Sequence, residues 1–526
     1  MYKALVILLC LSILSISHGQ TLYLSGNINN DTVFDCDTLF ITSTVEVADS
    51  ATLEINGHTR VVFMGSYAIN VRGHIRVRGD SLNPVVFTVQ DTLGWYDSIT
   101  TTGGWKGVRL VGGNTQKSAD ISHAEMWFAK NKDLEGGAGG AFYARLAQHV
   151  RLSYVSFIYC RAGRGGAVYL RKIISVDIGH CRFIRNDAYQ SSRATAVQIA
   201  DSITSTIHHN YFEGNGRPIH YVYDTVWGVW TGTASGAPIE LYGETTAHPL
   251  TSTSVHIVNA NFLVNNYSHA MGTLRLACKS AYAFNNIVVN NEGSGIVMSS
   301  QYYNGHVINN LVLNNTIYGI DKSFPNLNTQ SRVEGNIVWN NLNGSIMGDL
   351  TRVSYNIVEG GWPGGEGNIS VLPDFENALW IYGFDSTSVE TDWRLKEGSI
   401  GINMGIADTM GLHLPLMDFV GNPRIAGGQI DIGPYEFAET TGIKEAENMD
   451  ATISVFPNPC AHYFYIEQIS GCPKSYVRLT GMDGKKSTIR LHGNKAEIGV
   501  LSCGFYTGEV FCGEKMIGKI RIVVNR

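Results

Sequence analysis

The stretch NNIVVNNEGSGIVM, residues 285–298, sets two asparagine pairs around three apolar residues, and the pattern returns as NNLVLNNTIYGI (309–320) and GNIVWNNLNGSIM (335–347). Aligned on one apolar position, the series reads FIYC at Phe157, FIRN at Phe183, FEGN at Phe212, FLVNN at Phe262, IVVNN at Ile287, LVLNN at Leu311, IVWNN at Ile337 and IVEGG at Ile357. Successive spacings are 26, 29, 50, 25, 24, 26 and 20 residues, and Phe128 stands 29 residues before Phe157. A unit of about 25 residues cannot bury its own apolar face and must stack on its neighbours, so the period predicts a solenoid.

A second run precedes the aligned one in each period: GGAFYA, GGAVYL, TAVQIA, PIELYG, TLRLAC, SGIVMS, YGIDKS and GSIMGD. These runs are short, rich in β-formers and bounded by Gly, Asn or Ser, with no long 3.6-residue periodicity, so they read as strands. Two or three such strands per period predict the coils of a parallel β-helix, stacked at about 4.8 Å. Three residues after each aligned position stand Asn186, Asn215, Asn265, Asn290, Asn314 and Asn340. Asparagine tolerates the left-handed conformation of a sharp corner, and stacked amides can bond along the axis, so a structural ladder is expected there rather than a ligand site.

The fold expected is all-β, a right-handed parallel β-helix followed by a small β-sandwich. Its helix resembles exported proteins of the pectate-lyase-like superfamily over residues 21–437. The resemblance rests on the G.I.V.G-type strand pair followed by GGWKGVRL, with Trp105 and Gly107, and on the closing run DFVGNPRIAGGQIDIGPYEF. In that run Asp418, Gly421, Asn422, Arg424, Asp431, Gly433, Tyr435 and Glu436 match the family pattern. Such motifs bear on fold and say little about substrate.

Charged residues are 16% of the 526, Gly numbers 58 and the net charge is -6, with no long basic run, so nucleic acid is not expected as a partner. Residues 1–19 carry Lys3, an apolar run and small residues at Ser17 and Gly19, the pattern of a secretory signal peptide cut before Gln20. No later run is long enough for a transmembrane span. Eight further cysteines follow, at 36, 160, 181, 278, 460, 472, 503 and 512; spacing does not give their pairing, and none forms CxxC.

The organisation expected is N-terminal coils over 20–125, regular repeats over 126–375, a closing segment over 376–437, a polar linker over 438–451 and a separate strand-rich region over 452–526. That last region contains SVFPNP, DGK, LSCGFYTGEV and GKIRIVV in order. It is similar to the type A C-terminal sorting domain of the type IX secretion system of Bacteroidota, matched at Pro457, Asn458, Pro459, Gly484, Gly504, Tyr506 and Lys519. The resemblance implies secretion machinery and a sortase as partners, and an outer-surface or extracellular location. Four cysteines in this region depart from the usual pattern.

Chemistry, if any, is expected on the outward positions of one stacked strand. Period-2 alternation sends Tyr169, Gln198, Glu240, Arg275, Val297 and Asp321 outward in one column. Arg275 beside Glu240 and Asp321 could serve a polysaccharide lyase acting on uronates, with calcium as its possible cofactor; a solvated cross-strand ion pair explains the same residues. The 50-residue spacing implies an inserted loop with Tyr221, Tyr223, Trp227 and Trp230, aromatic residues suited to stacking on sugar rings or to capping the helix locally. His208 and His209 are adjacent and, in a strand, face opposite ways, so no metal site is expected. No GxSxG or HExxH motif occurs. The sequence thus points to an exported β-helix that binds polysaccharide or acts as an adhesin, with a lyase or a structural spacer as alternatives.

Overall fold

The computed structural model describes residues 20–437 apart from short stretches, the longest being 225–228, 244–253, 300–304, 323–330 and 386–390. Beyond these it describes 455–456, 463–466, 475–481, 485–492, 494–498, 501, 504–513 and 515–524. The leader at 1–19 and the linker at 438–451 lie outside the described residues. Two compact units emerge, Met1–Ala438 and Glu439–Arg526.

The first unit is a right-handed parallel β-helix of three faces. One coil runs through His149–Ile158, which bends at Tyr154 and so serves two faces, and then through Val168–Arg171. The next repeats this as Ser175–Gly179, Arg182–Ile184 and Val197–Ala200, each strand pairing in parallel with its counterpart one coil earlier. Parallel pairing continues until one 33-stranded sheet wraps the unit. Inward residues stack like on like: the Phe157, Phe183 and Phe212 rings lie 4.9 and 4.6 Å apart, all fully buried. Burying one such side chain contributes about 1.5–3 kcal/mol, and the interior repeats this coil after coil.

The strand register corrects the sequence alignment beyond Phe212. Tyr211 pairs with Phe262 and Phe212 with Leu263, so the interior column continues through Leu263, Val288, Val312, Val338 and Val358 rather than through Phe262, Ile287, Leu311, Ile337 and Ile357. The long insertion between Phe212 and Phe262 concealed a one-residue slip. Each asparagine pair consequently divides its labour differently from the expectation. Its first member takes the left-handed conformation (Asn265 φ 56°, Asn290 55°, Asn314 59°, Asn340 50°). Its second member turns inward and makes the ladder.

That ladder runs Asn186, Asn215, Asn266, Asn291, Asn315, Asn341, each Nδ2 donating to the next Oδ1 at 2.9–3.0 Å. A second ladder at the preceding corner joins Asn210, Asn261, Asn286, Asn310, Asn336, Asn356 and Asn368 at 2.8–3.1 Å. Cysteines head both: the backbone N–H groups of Cys160 and Cys181 donate to Asn186 Oδ1 and Asn210 Oδ1. Buried amides so paired satisfy backbone and side chain together.

The left-handed asparagines serve as posts for the closing segment, which runs back along the coils. Asn314 Nδ2 donates to the Leu379 carbonyl, Asn290 Nδ2 to those of Ile381 and Gly383, and Asn265 Nδ2 to that of Asp385. At the other corner Asn309 Nδ2 reaches the Asp431 and Gly433 carbonyls. Here Asp418, Arg424, Asp431 and Glu436 form a buried knot. Asp418 accepts from the N–H groups of Val420, Asn422 and Glu436, while Arg424 pairs with Glu436 at 3.2 Å and donates to the Gly433 carbonyl. The second unit is a seven-stranded antiparallel sheet with its own core, including Phe464, Val477, Leu479, Val510 and Ile522.

Candidate functional site

The third face carries the column picked out from the sequence. Strand pairings align Tyr169, Gln198, Glu240, Arg275, Val297 and Asp321 in that order on successive coils. Tyr169 and Gln198 are buried, and Glu240 is only 2% exposed. Glu240 Oε1 accepts from Arg275, Glu240 Oε2 accepts from Gln198 Nε2 at 2.6 Å, and Arg275 Nε donates to Ser299 Oγ at 2.7 Å. Burial raises the Glu240 carboxyl above its ordinary pKa, opposed by the Arg275 charge. The pair is therefore desolvated rather than the solvated surface pair one would expect of outward residues, with the Arg275 side chain 15% exposed. Val297 separates Arg275 from Asp321, which lies two coils on, so the structure does not gather the three candidates around one point. A cavity of about 220 Å³ lies further up this face, lined by Val111, Gly112, Tyr143, Arg145 and Leu146; it is below the usual size of a small-molecule site.

The insertion is an antiparallel hairpin rather than a loop: His220–Asp224 pairs with Val229–Thr233, setting Tyr223 opposite Trp230 and Tyr221 opposite Gly232. Backbone complementarity between two short β-prone runs accounts for it. Trp227 lies outside the described residues. In the second unit, Gly504 and Tyr506 fall in the strand Gly504–Cys512 and Lys519 in Lys515–Val524, where Lys519 is opposite Glu509. Pro457, Asn458, Pro459 and Gly484 lie outside the described residues.

A different constellation occupies the corner between the first and second faces. There His123, Tyr154, His180 and His209 hold equivalent positions on four coils, all with positive φ. Their rings stack in sequence with centroids 4.6, 4.8 and 5.0 Å apart. His208, the last residue of Thr204–His208, also points outward, and its Nδ1 is 3.0 Å from Nδ1 of His209. The expectation that adjacent histidines face apart fails because His209 has φ 53°: a left-handed corner interrupts strand alternation, keeps His209 outside and sends Asn210 in. His208 Nε2 contacts Asp177 Oδ1 at 3.0 Å. Burial together with the neighbouring imidazoles lowers the pKa of His209, and burial followed by the His208 charge lowers that of His180. Both rings are thereby biased to the neutral form, which has a free lone pair.

Beside this corner the outward residues of the first face alternate in sign, Glu54, Arg76, Asp120, Arg151 and Asp177 being directly paired along the axis. Arg76 lies 4.0 Å from Glu54 and Arg151 lies 3.8 Å from Asp177.

No protein-family model matches the chain. No curated protein matches it. Among solved structures, the crystal structure of pectate lyase Pel9A aligns with 73% of this chain and 89% of that one, at 10% identity and a TM-score of 0.27. With so low a score, the assignment as a parallel β-helix rests on the strand pairings themselves. No helix among the described residues is long and apolar enough to cross a membrane.

Proposed function

We propose that the chain is an exported β-helix that binds an extended polar polymer, polysaccharide by class, along its coils, as a binding protein or adhesin. The carrying observation is the in-register display on the first face: an alternating column of carboxylates and guanidiniums flanked by a stacked column of imidazole and phenol rings. Groups repeated at the coil spacing of about 4.8 Å suit a ligand that itself repeats over short distances. Carboxylates accept from hydroxyl groups and guanidiniums donate to them, so the alternating column can engage both hydrogen-bonding roles of a polyhydroxylated chain. The lyase alternative, with its calcium ion, would require Arg275 and Glu240 to be released from each other and opened to substrate. The C-terminal unit, as a separate antiparallel module with its own core, fits the role of a type IX sorting domain, with a leader at 1–19 directing export and a surface or extracellular destination.

A glycan array probed with the full chain, run beside an ultraviolet assay for unsaturated uronate release, tests the reading. Binding without release is the expected result. Release that disappears in Arg275→Gln would replace it with the lyase, and silence in both assays would leave the spacer. Deletion of residues 452–526 is expected to stop the protein in the periplasm, and normal surface display after deletion would refute the sorting assignment.

A further inference from the structure

We propose that His180, His208 and His209 form a three-imidazole binding site for a divalent borderline metal ion, zinc by preference. One ligand atom from each of the three lies within 4.8 Å of the others. The separation of His208 Nδ1 from His209 Nδ1, 3.0 Å, is close to the distance of about 3.3 Å between ligand nitrogens in a tetrahedral site with Zn–N near 2.05 Å. His180, one coil earlier, lies with its ring 5.0 Å from that of His209 and 5.5 Å from that of His208, nearly perpendicular to the latter. Coordination by the third nitrogen requires the exposed His180 ring to turn out of its stack on His209, their planes now being only 16° apart.

Two further features fit a metal ligand set rather than a chance meeting of surface histidines. Asp177 Oδ1 lies 3.0 Å from His208 Nε2, so in the Nε2–H tautomer the carboxylate accepts that proton and the Nδ1 lone pair is left on the side of His209 Nδ1. A carboxylate that fixes the tautomer of a ligating histidine in this way is a recurrent second partner in metal sites. Gly179, paired directly with His208, supplies the space for that ring: a Cβ there would come within 2.4 Å of His208 Cε1. Three imidazoles leave a tetrahedral ion one position open, and His180 and His209 are exposed, so water or an anionic group can occupy the fourth place. Imidazole donors favour zinc, copper or nickel over calcium or magnesium, whose preferred ligands are oxygens.

The test is equilibrium binding of Zn²⁺, with Co²⁺ as a spectroscopic probe, to the chelator-stripped full chain. One equivalent per chain is expected, with the visible spectrum of tetrahedral Co²⁺. His208→Ala should abolish this equivalent, Asp177→Asn should weaken it about 10- to 100-fold, and Gly179→Ala should weaken it without removing any donor. His149→Ala, at an exposed histidine elsewhere on the first face, should leave it unchanged. Circular dichroism establishes that each variant folds. Absence of the equivalent, or an equivalent that survives His208→Ala, would overturn the proposal.

Discussion

Replacement of Asn310 by alanine tests the ladder at its centre. Asn310 is fully buried, and its Oδ1 accepts from the backbone N–H and from Nδ2 of Asn286, both at 2.9 Å. Its own Nδ2 faces the carbonyls of Ala283 and Ile308 at 2.9 and 3.0 Å and Asn336 Oδ1 at 3.0 Å. Two amide hydrogens cannot fully serve three acceptors, so the side chain makes about four bonds' worth of contact. At roughly 1 kcal/mol net each, the truncation costs about 4 kcal/mol, because Asn286 retains donors that water does not reach. In a solenoid the loss falls on adjoining coils, so it should appear as amide hydrogen exchange through residues 281–289 accelerated by about three orders of magnitude. Asn340→Gly is the comparison: this residue is half-buried and left-handed at φ 50°, a conformation glycine adopts without strain, and its loss should cost about 1 kcal/mol or less. Equal effects from the two substitutions, or protection in Asn310→Ala within tenfold of the parent, would refute the assignment of the second asparagine of each pair as the rung.

Three other outcomes follow from buried ionisable groups. Burial pushes the thiols of Cys160 and Cys181 up to about 12 and raises those of Cys36 and Cys278; at pH 8 none of these four free cysteines should be alkylated in the native chain, whereas all should react once it is unfolded, and native labelling at Cys160 would contradict the packing. Burial raises the Glu436 carboxyl to about 8 from an ordinary 4.5, so the folded closing segment holds a proton that the unfolded chain releases. Its contribution to stability is full below about pH 4.5 and is lost as pH rises toward 8; thermal unfolding across that range should show the decline, Glu436→Gln should reduce it while leaving the part due to Asp431, whose carboxyl burial also raises, and a rise in stability would reverse the sign. Glu240→Ala, which strands the Arg275 charge, should cost about 3–5 kcal/mol by denaturant unfolding, while Glu240→Leu with Arg275→Met should cost far less; equal losses would mean that the pair is solvated.

The solenoid was legible because its period and its apolar stacks are local repeats that stacking must respect. The third-face column was legible too, since a two-residue alternation survives from coil to coil. Its burial was not, because that depends on how long side chains from the turns and adjoining coils fold over it, as Arg164 does over Tyr169. The asparagine rungs were legible to within one residue: a doubled asparagine marks the corner but leaves open which member turns inward, and the Phe212 to Phe262 insertion hid the slip. The histidine corner was concealed by a sound rule applied one residue too far. Strand alternation separates His208 from His209 only if both are extended, and His209 is not. Yet the signal was present, for Tyr154, His180 and His209 stand three residues before Phe157, Phe183 and Phe212. Later coils place Ala260, Asn285, Asn309, Gly335 and Tyr355 at this same left-handed position, of which only asparagine and glycine fit with little strain. Histidine is tolerated there less well and tyrosine poorly, at a cost on the order of 1 kcal/mol for each bulky ring. Phe128, Tyr159 and Arg185 are equally left-handed at the other corner of the same coils, so strain marks both corners, and what sets the histidine corner apart is the convergence of three imidazoles beside Asp177.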